Sequence, residues 1–446
     1  MREDFGEGAE SRAAEDAEKF RRIFMTGTEA LERMRREELT GWHPGLERVR
    51  ELMEGLGNPQ DKLRYVHITG TNGKGSTAAM TARILTAAGY RTGLYTSPHL
   101  WTIHERFQVD GRMITDEDFA DALGRVLDVN RTLEQPGTEF ELLTAAAFVY
   151  FAEKKCNLVV LEVGMGGLLD ATNVIPAPEA AVITNIGLEH TQYLGATLGA
   201  IAEQKSGIIK RGCSAVLYAQ SEEVERVVRE ACAREDAALT VTSPGTLEVI
   251  SSGLDGQEFR YRGAGPYRIA LPGKYQLSNA MTALETVAAL RRRGWEIPER
   301  AVREGLRETV WPGRLEVVRR NPDVIVDGAH NPQCMAALSA SLSELKPGGK
   351  YTFVLGVLGD KDYPAMMGEL IPLARNFLVV PVDNPRALPA ADLASYLERQ
   401  GVKAELCGTV EEGVRRALSS VKPEDAVCIC GSLYMIGGAR RLFTEA

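Results

Sequence analysis

Disulfide chemistry has no footing in this sequence. Its seven cysteines, Cys156, Cys213, Cys232, Cys334, Cys407, Cys428 and Cys430, are scattered and odd in number, and no two of them form a CxxC pair. A reduced compartment follows, and the protein is expected in the cytoplasm. Also missing is any apolar run of the roughly 18 to 20 residues that a membrane span requires. The opening residues, MREDFGEGAESRAAEDAEKF, are acidic where a secretory signal would be basic and then apolar. Positive charge is not in excess either: the formal net charge of -9 leaves no electrostatic footprint for nucleic acid. It does not exclude a small anionic substrate, because helix termini and a few cations build an anion site locally. What remains, 44% hydrophobic and 25% charged residues, is ordinary globular composition. At 446 residues the chain exceeds the size at which one core keeps growing, so two domains are expected.

One stretch organises the rest. Tyr65 to Thr69 reads as a short buried strand and runs straight into Gly70-Thr71-Asn72-Gly73-Lys74-Gly75-Ser76-Thr77, which has no bulky side chain. Ala78 to Ala88 then reads as a helix, with Met80, Ile84 and Leu85 apolar and a stop at Gly89. Strand, glycine-rich loop and helix in that order make a phosphate cradle: backbone N–H groups close around the oxygens and the helix N-terminus faces the charge. Lys74 is placed to meet the terminal phosphates. The loop departs from a standard Walker A, since two residues separate Gly70 from Gly73 and Gly75 stands between Lys74 and Ser76. A plain turn between strand and helix would also use glycines, but it has no need of a lysine and two hydroxyl residues.

Further along, residues 1–26 read as a polar extension, and Thr28 to Leu56 as two short helices. Arg91 to Leu100 is a second short strand ending in a polar turn, which would bring Ser97 and His99 toward Lys74. Phe140 to Ala152 is helical. Asn157 to Glu162 is a buried strand ending in a carboxylate, ahead of Gly164-Met165-Gly166-Gly167. A hydrophobic run that ends in an acid is how a parallel sheet delivers a magnesium ligand to a nucleotide. A strand at Ala180 to Asn185 leads to His190, and Lys205 follows in a helix-like segment. Cys213 to Pro266 reads as a small, mainly β addition, and Leu271 to Asn279 as the lead into a helix over Ala280 to Arg293. The pattern restarts at Trp311-Pro312-Gly313-Arg314, which sets a first domain at 27–310 and a smaller α/β domain at 311–446. The second domain's polar turns, DGAHNP, LGDKD and DNPRALP, follow its strands and should gather on one face over the nucleotide.

Eleven segments, taken in order, resemble the folylpolyglutamate synthase / dihydrofolate synthase family, within the Mur-type ATP-dependent amide ligases. They are GLERVRELMEGLGNPQ, HITGTNGKGST, YTSPHL, FELLTAAAFVYFA, LEVGMGGLLDATN, ITNIGLEHTQYLG, IAEQKSGIIK, WPGRLE, DGAHNP, LGVLGDKD and GSLYMIGG. The resemblance implies an α/β fold: an N-terminal P-loop-type ATP-binding Mur ligase domain with a parallel sheet and a small β addition, then a smaller Rossmann-like α/β domain. It implies ATP-dependent ligation of L-glutamate to folate through an acyl phosphate, and ligation of L-glutamate to dihydropteroate as a second activity. Asn72, Gly73, Lys74, Gly75, Ser76, Asn279, Arg314 and Asp327 would contact ATP. Ser76, Ser97, Glu162, His190 and Lys205, the last as a carbamate, would hold two Mg2+ ions. Lys74, Lys205, His190 and His330 would serve the chemistry, with Arg314 and His330 on the transferring phosphoryl group. ATP, L-glutamate and folate or dihydropteroate are the expected partners, with no nucleic acid and no membrane, and a monomer is expected. Leu168 stands where the family has Arg, Glu189 where it has Asp, and Ser206 where it has Ala. Two alternatives stand beside this reading: a Mur-type ligase acting on a UDP-linked cell-wall precursor, and a nucleotide switch, against which the missing NKxD tetrapeptide speaks.

Overall fold

The computed structural model describes residues 25–41 and 43–444, so the expected extension lies outside the described residues except for its last two positions. Among the described residues the strands, in chain order, are β1 (Tyr65–Thr69), β2 (Thr92–Tyr95), β3 (Phe107–Val109), β4 (Arg112–Met113), β5 (Leu158–Glu162), β6 (Ala180–Ile183), β7 (Ser214–Leu217), β8 (Ala238–Val241), β9 (Leu247–Gly253), β10 (Gly256–Tyr261), β11 (Ala264–Ile269), β12 (Glu316–Arg319), β13 (Asp323–Val326), β14 (Tyr351–Leu355), β15 (Ala374–Val379), β16 (Ala404–Leu406) and β17 (Ala426–Cys430). They form an eight-stranded sheet ordered β4-β3-β2-β5-β1-β6-β7-β8, a three-stranded sheet β11-β10-β9, and a six-stranded sheet β12-β13-β17-β14-β15-β16.

The first sheet is parallel from β2 to β8, with β3 and β4 antiparallel at one edge. Its central strands are buried on both faces, which is why β1 and β5 read as nearly unbroken hydrophobic runs. Register aligns their ends: Ile68 lies opposite Glu162, Thr69 opposite Ile183, and Tyr95 opposite Leu161. Whatever follows β1, β2, β5 and β6 therefore emerges along one edge. The six-stranded sheet repeats the device, with Val326 and Val354 both opposite Ile429. Sheet, order and register confirm the expected α/β class.

Three expectations need correction. The helix after the glycine-rich loop begins at Lys74 and not at Ala78, with Gly73 in the left-handed region (φ 89°) immediately before it, so Lys74, Gly75 and Ser76 form the first turn of the Lys74–Ala87 helix. Asn279 likewise lies inside a helix, Lys274–Arg292. The stretch from Cys213 to Pro266 is not a single β addition. Its first half holds β7, the Glu222–Arg234 helix and β8, which extend the large parallel sheet, and only β9 to β11 form a separate antiparallel sheet. The overlooked helix buries Val224, Val227, Val228 and Ala231 on one stripe, a 3.6-residue period hidden behind its glutamates and arginines.

Packing locks the cradle helix in place. It is built from small residues, and Gly305 of the Glu299–Glu308 helix lies so close that an added Cβ would come within 2.4 Å of the Ile84 Cα. The three-stranded sheet joins the same core through Phe259, Tyr267 and Ile269, while Leu254 at its β9–β10 turn packs on the core of the six-stranded sheet. Among the described residues no helix is long and apolar enough to cross a membrane, and all seven cysteines are free.

Candidate functional site

Both aligned strand edges face a cavity of about 410 Å³. From the first sheet it is lined by Asn72, Gly73, Lys74, Gly75, Ser76, Ser97, Glu162, Asn185, Glu189 and His190; Asn279 comes from the long helix, and Arg314, Asp327, His330, Gln333, Cys334, Lys361 and Arg386 come from the C-terminal side. The structure thus brings together every residue expected to contact nucleotide or metal, apart from Lys205. His99 is also turned away, its Nδ1 accepting from Arg106 Nε at 3.1 Å while burial, and then Arg106, lower its pKa to about 4.

The cradle is held from behind. A Cβ on Gly73 would come within 2.4 Å of Asn279 Oδ1, and one on Gly75 within 2.9 Å of Trp311, so both glycines are required by close approach. Asn279 donates to Gln276, and Gln276 Nε2 donates to Ser76 Oγ at 3.2 Å. Lys74 Nζ donates to the carbonyls of Gly70 and Thr71, at 3.1 and 3.2 Å. The N–H groups of the first helical turn, free of intrahelical partners, point toward the cavity with the positive end of the helix dipole.

Lys205 sits beneath this floor, 3% exposed, with Nζ 2.9 Å from the same Gly70 carbonyl. Burial first, and Lys74 second, lower its pKa to about 7, so near neutral pH a large share of its amine is uncharged. An uncharged amine is the form that adds CO2. Glu162 is buried at the cavity wall and accepts from the Ser97 N–H at 3.1 Å. Burial raises its pKa, and Lys74, the Ser97 N–H, Arg314 and Arg106 act against that rise. The hydroxyls of Ser76 and Ser97 and the Glu162 carboxylate make a hard oxygen set along one wall, which fits Mg2+. Among the described residues no group of three His, Cys, Asp or Glu gathers at metal-binding range. A metal held at this wall would therefore need hydroxyl oxygens beside the Glu162 carboxylate.

Across the cavity, Asp327 accepts from the Leu315 N–H at 2.8 Å, the Ala329 N–H at 2.7 Å and the Tyr275 hydroxyl at 3.2 Å, which pins the DGAHNP turn. His330 Nδ1 bonds the Gly328 carbonyl, and its Nε2 lies 3.7 Å from Glu189 Oε1. Lys361 Nζ is 3.0 Å from the same oxygen. Burial opposes ionisation of Glu189, but His330, Lys361 and His190 together hold its pKa at about 2. Asn72 completes the seam, donating to Gln333 and accepting from Asn331 and Cys334.

A second cavity of about 270 Å³ shares the wall formed by Gly75, Ser97, Pro98, Glu162, Arg314 and Leu433. Its other sides include Trp101, Trp311, Met113, Gln108, Arg440 and Arg441, with the Arg441 guanidinium 3.8 Å from the centre of the Trp101 ring. Trp101, Gln276, Lys361 and Ser432 were not singled out in the sequence. Lys361 and Ser432 lie within two of the eleven segments, LGVLGDKD and GSLYMIGG, but no period or spacing marks any of the four as a site residue.

Comparison with known proteins returns two adjoining family matches: Mur ligase middle domain over residues 68–287, and Mur ligase, glutamate ligase domain over residues 313–433. Folylpolyglutamate synthase of Lacticaseibacillus casei is 35% identical over 88% of this chain and 93% of its own length. Dihydrofolate synthase/folylpolyglutamate synthase of Bacillus subtilis is 35% identical over 90% and 95%. Among solved structures, E. coli FolC in complex with DHPP and ADP superposes with a TM-score of 0.85 at 28% identity, over 95% of this chain and 99% of that one. Mycobacterium tuberculosis folylpolyglutamate synthase complexed with ADP and AMPPCP superposes with a TM-score of 0.82 at 34% identity, over 90% and 95%.

Proposed function

Because the chain belongs to the folylpolyglutamate synthase / dihydrofolate synthase family of Mur ligases, and so joins L-glutamate to folate at the expense of ATP, we propose how its residues divide that work. The observation that carries the proposal is the wall shared by the two cavities, with Ser97, Glu162 and Arg314 facing both. ATP occupies the larger cavity. Asn72, Gly73, Gly75, Ser76 and Lys74 hold its phosphates, and Asn279, Arg314 and Asp327 contact it from the later segments. The folate arm enters the smaller cavity between Trp101 and Trp311, which suit a flat ring, and presents its carboxylate at the common wall.

A carboxylate oxygen attacks the γ-phosphorus there, the bond to ADP breaks, and an acyl phosphate forms. Arg314 and His330 stabilise the charge on the transferring group, and Lys74 keeps the two anions from repelling one another. Magnesium held at two sites by Ser76, Ser97, Glu162, His190 and carbamylated Lys205 would supply further charge neutralisation. L-glutamate then brings its amine to the acyl carbon, and phosphate leaves. Its two carboxylates need cations that the phosphates do not claim, and Lys361 and Arg386 are such cations on the C-terminal side. Ser432 assists: its hydroxyl is 1% exposed, without a hydrogen-bond partner, and borders the same cavity at the start of the Leu433–Thr444 helix.

Dihydropteroate, whose carboxylate sits directly on the benzoyl ring and not on a glutamyl arm, is accepted as well. The working unit is a cytoplasmic monomer, since both walls of the cavity come from one chain, and its two domains meet at 310 and 311. Initial rates of ADP release test the reading. L-glutamate with tetrahydrofolate and L-glutamate with dihydropteroate should each stimulate release, while a UDP-linked peptide with an amino acid should not. ADP formation indifferent to both acceptors would return the protein to the nucleotide switches.

A further inference from the structure

His67 is the one histidine in the middle of a fully buried strand, and neither phosphate binding nor phosphoryl transfer uses it. Its side chain is 0% exposed, and burial, then Lys210, lower its pKa to about 3, so the ring is neutral. Nε2 lies 2.8 Å from Thr172 Oγ1, which donates to Asp170 Oδ1 at 2.5 Å. A hydroxyl has a single proton to give. With that proton directed at the Asp170 carboxylate, which also accepts two backbone N–H groups, His67 is the donor to Thr172, and its tautomer is Nε2–H. Nδ1 is then a bare lone pair, and it has no partner. An orphaned acceptor in a strand interior is a standing cost that a leucine would avoid.

The carboxylate at the far end of this relay closes the turn 164–170. Asp170 accepts from the N–H groups of Met165 at 2.9 Å and Thr172 at 3.0 Å, and Thr69, on the same face of β1 as His67, donates to the Gly166 carbonyl at 2.5 Å. The closed turn rests on the helix that carries Lys205. Leu168 N–H donates to the Gln204 carbonyl at 2.8 Å, and a Cβ on Gly167 would come within 2.8 Å of the Lys205 carbonyl. Asn173, next to Thr172, ties the turn and the end of that helix together, its Nδ2 donating to the carbonyls of Leu168 at 3.1 Å and Gly207 at 3.0 Å.

We propose that His67 is a positioning residue, acting through Thr172 and Asp170 to fix the 164–170 turn against the Leu198–Ser206 helix and so to set Lys205 under the Gly70 carbonyl. The proposal rests on the reading of Lys205 given above only for its catalytic consequence; the placement of the helix is tested separately. Thr172→Val and His67→Phe cut the relay, whereas His67→Gln keeps an amide donor at the Nε2 position. Thr172→Val and His67→Phe should lower kcat at least tenfold with KM for MgATP within twofold, because Asn279 and Gln276 hold the cradle independently. Amide hydrogen exchange over residues 198–206 should quicken in both, and His67→Gln should restore most of the turnover and the protection. Counting turnover per folded molecule removes any simple loss of stability. Unchanged exchange over 198–206 in Thr172→Val, or a His67→Gln variant as impaired as His67→Phe, would overturn the relay. Full activity in Lys205→Ala would instead overturn only the reading of Lys205, with the exchange data still deciding the relay.

Discussion

A single carbonyl, that of Gly70, receives both Lys74 and Lys205, and the two lysines carry distinct expectations. Lys74→Ala removes a charge facing the phosphates, and ligation should fall by about 10²-fold or more, in line with losing one preorganised stabilising group. Steady-state ADP release checks it; near-normal turnover would refute the cradle. Lys205→Ala should also lose activity, but short carboxylic acids should partly restore it by supplying the missing oxygens, and a fully active variant without rescue would remove the carbamate role. His67 carries a pH effect. The unfolded imidazole takes up a proton near pH 6.5, while the folded ring resists until about pH 3, so between those values the unfolded state binds more protons and stability is lost as the pH is lowered. Urea denaturation at pH 6.5 and 5 should show wild type losing about 1.6 kcal/mol more than His67→Gln, since the unfolded imidazole is half protonated at the upper pH and the full slope of about 1.36 kcal/mol per unit is reached only below it. At this scale the sequence was most legible where residue type and spacing coincide, as in the glycines and lysine of the loop. Lys361, Gln276 and Ser432 gain their meaning only from neighbours more than a hundred residues away.

Elements were legible where their hydrophobic period was clean. β1 begins and ends at the expected residues because a central parallel strand is buried throughout, and four of its five residues are β-branched or aromatic. The Glu222–Arg234 helix was obscured because its charged face outnumbers its buried stripe, and two short β-like runs flank it. Helix starts were misplaced for a different reason: at Gly73 a positive φ lets the chain turn into a helix within one residue, so polar loop residues become the first turn. Close packing makes a prediction at this scale. Gly305→Val would place its branches against the Ile84 backbone, and overpacking there should cost about 1 to 3 kcal/mol in denaturant unfolding. Gly89→Ala, at a helix end with open space around it, serves as the contrast: strain at its positive φ is felt without any clash.

For the whole molecule, the two large sheets meet across polar and close backbone contacts as well as through the covalent link. Glu189 joins Lys361 and His330, Asn72 joins Gln333 and Asn331, and an added Cβ at Gly437 would stand 2.0 Å from the Leu100 carbonyl oxygen. Gly437→Ala should therefore hold the Leu100–Trp101 loop off the last helix. A larger radius of gyration in solution scattering, a raised KM for folate and an unaltered melting temperature would report it. A fall in melting temperature with unaltered KM would assign the contact to stability instead. The convergence of turns on one face was foreseeable from the alternation of strands and helices, whereas the seam's individual bonds depend on how the sheets are set against each other.

The level finish of β1, β5 and β6 restricts how such a protein can change over time. Removing one residue from any of the three would retract its loop by about 3.3 Å and turn the remaining side chains over to the opposite face. Insertions and deletions in descendants of this gene should thus spare those three rungs. They should collect instead at places such as the β9–β10 turn or the surface around Gly348, where extra length disturbs no shared edge.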